Sequence, residues 1–158
     1  MIEMPRFAVL AWKSAWRSAK LPGIIAKVST KPLIVSAGMP RSGSTLLFNI
    51  LREILVTKWD SRLVSGSEKD FMSLPKGSAY LIKTHVLSQC YRWRAEYSFF
   101  TYRDVRVAAV SSLRKFGHPI TLAGIRSKIR QYKTAKKTCN LIIQYEELVK
   151  DPISFIQK

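Results

Sequence analysis

Lys83 and His85 stand two residues apart at the end of the apolar run Ala79 to Thr84. In extended backbone they point the same way, offering one cation and one titratable base to the same spot. An imidazole, ordinarily titrating at about 6.5, suits removal of a proton from an acceptor hydroxyl or amine. Arg41 lies inside a second chemical stretch, Gly38-Met39-Pro40-Arg41-Ser42-Gly43, with Ser44 and Thr45 directly after it. A glycine loop between a strand and a helix aims free backbone N–H groups and the helix N-terminus at an anion. The hydroxyls of Ser42, Ser44 and Thr45 would add donors, and Arg41 a fixed charge suited to phosphate or sulfate oxygens. Arg103 and Ser111, eight residues apart, are placed to meet on a second phosphate if a strand end and the following helix face it together.

The spacing Gly-x-x-x-x-Gly is that of a nucleotide P-loop, but Ser44 stands where an NTPase needs lysine, which argues against a kinase. An ordinary strand-turn-helix corner accounts equally well for the glycines alone. No carboxylate cluster stands beside the loop to hold Mg²⁺, so charge stabilisation during a transfer would fall to Arg and Lys.

These residues need strands behind them, and the sequence supplies candidates. Leu33 to Ala37, Ala79 to Thr84, Tyr97 to Tyr102 and Leu141 to Tyr145 read as buried strands, with a shorter one at Arg62 to Ser65. Between them, Leu47, Ile50, Leu51, Ile54 and Leu55 recur at helical spacing. Val107, Val110 and Leu113 form an apolar stripe on a helix from Val105 to Lys115, closed by Gly117. A further helix runs from about Thr121 to Lys137, with Leu122, Ile125, Ile129 and Tyr132 inward and Arg126, Arg130, Lys133 and Lys137 outward. Lys69 to Ser78 reads as loop or broken helix, and Asp151-Pro152 as the start of a last helix. Strands alternating with helices imply an α/β fold with a parallel sheet flanked by helices, whose ligands sit at the carboxyl ends of the strands. Arg41, Lys83, His85 and Arg103 all fall at such ends.

Composition bounds the partners. The 158 residues carry 27 Lys and Arg against 10 Asp and Glu, a net charge of +17, which favours anionic ligands or surfaces. Hydrophobic content of 47% with 23% charged residues is that of a folded domain. Residues 1–31 form a basic segment in which Arg6, Lys13, Arg17 and Lys20 share one helical face and Val9, Trp12, Trp16 and Ala19 another. Such a helix either packs on the domain or makes peripheral contact with an anionic membrane through residues 6–20. The domain proper is expected over 32–158. Cys90 and Cys139 have neither disulfide-framework nor metal-ligand spacing, and Glu3 and Lys13 make a poor signal peptide, so a cytoplasmic protein with reduced thiols is expected. Binding to nucleic acid or membrane through net charge alone is a further class, recognisable by a steep fall with salt.

Four segments, GMPRSGSTLL, LIKTH, FFTYRDVRVAAVSS and IIQYEELVKDP, jointly resemble the sulfotransferases that use 3′-phosphoadenosine 5′-phosphosulfate (PAPS), in that family's order from Leu33 to Pro152. The resemblance implies a P-loop-like three-layer sandwich. It implies that Arg41, Ser42, Gly43, Ser44 and Thr45 bind the 5′-phosphosulfate, Arg103 and Ser111 the 3′-phosphate, and Tyr145 lies near the adenine. It makes His85 the general base, with Lys83 and Arg41 steadying the transferring group, PAPS the co-substrate, no metal, and an unidentified hydroxyl or amine acceptor. Two positions depart from the family: Leu46 replaces a tryptophan that stacks on adenine, and Val107 replaces a frequent aspartate. The resemblance also implies a domain incomplete at its C-terminus, because family members continue into a Gly- and Lys-rich loop over the 3′-phosphate. A PAPS-binding module without turnover is the alternative expectation.

Overall fold

The computed structural model describes residues 30–68, 75–87 and 89–152. Strand β1 (Leu33–Gly38) leads through a loop into helix α1 (Ser44–Trp59), and a 3₁₀ turn (Asp60–Arg62) leads on to β2 (Leu63–Ser67). Then follow β3 (Ala79–Thr84), α2 (Gln89–Arg94), β4 (Tyr97–Tyr102), α3 (Val105–Phe116), α4 (Leu122–Thr138), β5 (Leu141–Gln144) and α5 (Tyr145–Lys150). The five strands form one sheet in the order β2-β3-β1-β4-β5, and every pairing is parallel.

The period of two along the strands creates the layers. Leu33, Val35 and Ala37 of β1, Tyr80 and Ile82 of β3 and Phe100 of β4 face a core shared with Tyr91, Ala108 and Ala135 of α2, α3 and α4. Ile34 and Leu81 face the other way, onto Leu47, Phe48 and Leu51 of α1 and Leu148 of α5. The result is a three-layer α/β/α sandwich with β1 at its centre, as the alternating pattern led us to expect.

The five sequence-read strands are all present, with β2 lying at Leu63–Ser67 and Tyr145 belonging to α5 instead of β5. Helix α2 was not foreseen; at six residues it is too short to show a helical period. The stripe of α3 is corrected. Val107, Val110 and Leu113 are exposed, while Ala108 and Ala109 are buried. Small side chains let the helix approach the sheet, so the alanine face turns inward and the valines turn out. In α4, Leu122 and Ile129 are likewise exposed, and Ala135 is the residue fully buried. Residues 1–29, most of the expected 69–78 loop and the helix expected beyond Pro152 lie outside the described residues. Burial raises the Cys139 thiol above its ordinary pKa, as suits a reduced, partly covered cysteine.

Candidate anion-binding and transfer site

Strand order decides where a site can form. The chain leaves β1 for α1 on one face and leaves the adjacent β4 for α3 on the other, so a crevice opens between their carboxyl ends. The loop after β1 sits at that crevice. Arg41 (φ 70°) and Gly43 (φ 76°) both take left-handed backbone there. Ser42 turns inward: its fully buried Oγ lies 2.7 Å from the Met39 carbonyl, 2.9 Å from the Thr101 carbonyl and 2.9 Å from Thr101 Oγ1. The Met39 N–H also donates to the Thr101 carbonyl, at 3.1 Å. Thr101 of β4 therefore clasps the loop, and the Ser42 hydroxyl, expected to face an anion, serves this clasp instead. Gly43 caps α1 without any side-chain hydrogen bond, leaving the first-turn N–H groups open toward the crevice.

The loop divides two groups of side chains. On the β4 side, a cleft of about 440 Å³ is lined by Arg41, Arg103, Val107, Val110, Ser111, Arg114 and Lys115. Arg41 Nε donates to Ser111 Oγ at 3.0 Å. Arg103 Nε donates to Glu146 Oε1 at 3.1 Å, and its guanidinium lies 4.4 Å from the centre of the Tyr145 ring. That ring in turn covers Gly43 so closely that a Cβ there would run into it. Among the described residues, four cations and no acid line the cleft, an arrangement that calls for a multiply charged anion.

On the β3 side stand Lys83 and His85, outside that cleft. Lys83 Nζ donates to Thr45 Oγ1 at 2.7 Å, and burial lowers its pKa from the ordinary lysine value. His85 is exposed, and its Nδ1 lies 2.8 Å from the Gly38 carbonyl oxygen. A carbonyl only accepts, so Nδ1 carries the proton and the neutral ring keeps a lone pair on Nε2, directed away from that bond. This is the form a general base requires.

Of the expected residues, Arg41, Arg103 and Ser111 therefore share one cleft, Lys83 and His85 flank the other side of the loop, and Tyr145 packs on the loop itself. Ser44 is buried and Thr45 exposed. Arg114 and Lys115 were missed. Arg114 follows Ser111 by three residues and Val107 precedes it by four, so the helical period would have put them on the same face.

No family model matches the chain, and no curated protein matches it in sequence. Among solved structures, the fold matches that of the mouse sulfotransferase SULT7A1, determined as a complex with PAP, at a TM-score of 0.56 and 17% identity. The match covers 80% of this chain and 55% of that one, so the chain spans about half the length of that protein. The protein thus has a sulfotransferase-like α/β fold.

Proposed function

We propose that the protein is a sulfotransferase that moves a sulfuryl group from PAPS to a hydroxyl or amine acceptor. The observation that carries this reading is the cleft beside the loop, where Arg41, Arg103, Arg114 and Lys115 gather with Ser111 and, among the described residues, no acid. Such a lining fits a nucleotide with phosphates at both ends of its ribose better than one with a single anionic tail. The open N-terminus of α1 and Arg41 would hold the 5′-phosphosulfate, Arg103 and Ser111 the 3′-phosphate, and Tyr145 would lie toward the adenine. PAP in the crystal of SULT7A1 supports the same class of ligand.

In the proposed reaction, His85 Nε2 takes the acceptor proton as the acceptor oxygen or nitrogen bonds to sulfur. The bond from sulfur to the bridging phosphate oxygen breaks, and adenosine 3′,5′-bisphosphate leaves with that electron pair. Lys83 and Arg41 offset the charge that builds on the sulfuryl and bridging oxygens. Positioning and fixed cations would supply most of the rate enhancement. Calorimetry with adenosine 3′,5′-bisphosphate, together with transfer of labelled sulfate from PAPS to a panel of phenol, sugar and amine acceptors, tests this. Binding with transfer supports the enzyme, and binding without transfer to any acceptor supports the PAPS-binding module. Failure of the bisphosphate to bind removes both.

A further inference from the structure

Helix α4 carries a feature that the transfer site does not use. Its 17 residues contain no acid, and none of the ion pairs between described residues involves it. At about 100° per residue, Arg126, Arg130, Lys133, Lys136 and Lys137 fall within one arc of about 120°. All five are exposed. Like charges four residues apart, such as Arg126 with Arg130 and Lys133 with Lys137, destabilise a helix that has nothing to neutralise them. The same arc holds two aliphatic residues, Leu122 (61% exposed) and Ile129 (39% exposed). A shallow groove of about 370 Å³ runs between Ile129 and the stems of four of the cations. From Arg126 to Lys137 the stripe is about 16 Å long.

The placement of α4 ties this stripe to the site. Its last turn meets the beginning of β4, where Ser98 Oγ contacts the Thr138 carbonyl at 3.5 Å. Six residues earlier, Tyr132 packs against Tyr102 at the carboxyl end of β4, with ring centres 4.7 Å apart and the rings tilted by 45°. The turns before Tyr132, with Arg126 and Arg130, therefore stand past the carboxyl edge of the sheet, on the side where the cationic cleft opens.

We infer that the outer face of α4 docks the protein on an anionic membrane surface. Cations beside aliphatic side chains on one arc match such a surface: charge draws the helix to acidic headgroups, and Leu122 and Ile129 enter the interface. Single-stranded nucleic acid would call for aromatic platforms, and this arc has none. A second copy of the same face would be repelled. The inference is independent of the sulfotransferase reading.

The test is co-sedimentation of the full chain with vesicles of phosphatidylcholine mixed with phosphatidylserine, against phosphatidylcholine alone. We expect binding to the mixed vesicles only. Arg126→Ser/Arg130→Ser/Lys133→Ser/Lys137→Ser should weaken it by about tenfold or more. Leu122→Gln/Ile129→Gln, which leaves the charge unchanged, should weaken it severalfold. A control with four other exposed cations removed, Lys58→Ser/Arg62→Ser/Lys76→Ser/Lys150→Ser, should lose far less. Circular dichroism and a cooperative urea unfolding transition show that the variants are folded. The inference is overturned if the control loses as much as the stripe variant, if the stripe variant binds as wild type does (placing contact in residues 6–20), or if the aliphatic change has no effect. Tighter binding to single-stranded DNA than to the vesicles would overturn it too.

Discussion

His85 and Arg103 have separable roles, because they stand on opposite sides of the loop. His85 is hydrogen-bonded through Nδ1 to the Gly38 carbonyl, and it is not among the described residues that line the cationic cleft. His85→Ala should therefore lower sulfate transfer by about 10²- to 10⁴-fold while leaving the affinity for adenosine 3′,5′-bisphosphate nearly unchanged. A parallel loss of affinity in calorimetry would remove it as the base. Arg103→Ala should weaken nucleotides bearing a 3′-phosphate by roughly 10- to 100-fold, as expected when a charged hydrogen-bond donor is lost. Nucleotides lacking that phosphate should be affected far less; equal weakening of both would show that Arg103 does not read the 3′ end. Lys83 adds a pH dependence. Burial lowers its pKa, and an anion bound beside it would favour the charged form and raise that pKa again. Ligand binding then takes up a proton, so affinity should fall as pH rises through the Lys83 pKa of the free protein, below the usual lysine value. In Lys83→Arg, which stays charged, the profile should be flatter over that range. An identical alkaline fall in the variant would assign it to another group.

At the scale of elements, the loop after β1 is held by close approaches that tolerate no extra atoms. Gly43→Ala would have to place an alanine at φ 76° and drive its Cβ into the Tyr145 ring. The backbone alone costs about 1–3 kcal/mol, so this variant should lose both stability in urea unfolding and nucleotide affinity. Pairing it with Tyr145→Ala relieves the contact but not the strain, and should restore only part of the stability. Thr121, whose Oγ1 accepts the Gly124 N–H at 3.1 Å, caps α4. Thr121→Ala should cost about 1 kcal/mol, read as a lower unfolding midpoint, without changing nucleotide affinity. Much of this level was legible in the sequence: apolar runs marked the strands, and the glycines marked the loop. What escaped it came from choices made between competing faces. In α3 the valine stripe shows a helical period and the adjacent alanines do not, so only the closeness of the sheet selects the alanines. In the loop, a serine hydroxyl can face an anion or a neighbouring strand, and only the position of Thr101 selects the strand.

At the scale of the whole molecule, the charge of +17 is unevenly placed, and the unevenness predicts how the protein answers to ligand and salt. Arg41, Arg103, Arg114 and Lys115 share one cleft, and among the described residues only Arg103 of the four has an ion-pair partner, the half-exposed Glu146. Mutual repulsion there lowers the stability of the free protein, and an anion that binds the folded state alone removes it. A ligand at about 100 times its Kd stabilises by about 2.7 kcal/mol, which for a domain of this size corresponds to a rise in Tm of roughly 5–10 °C. Adenosine 3′,5′-bisphosphate should give such a rise in a thermal-shift measurement, whereas adenosine should give almost none. Added chloride should raise Tm modestly by screening the cleft, and should shrink the bisphosphate-induced rise. Arg114→Ala/Lys115→Ala, which leaves the Arg41–Ser111 hydrogen bond and the Arg103–Glu146 pair in place, should show the reverse pattern, a higher Tm without ligand and a weaker response to it. If the double variant were instead less stable without ligand, the four cations would be serving the fold and not awaiting an anion. The functional reading of the cleft would then fail with them.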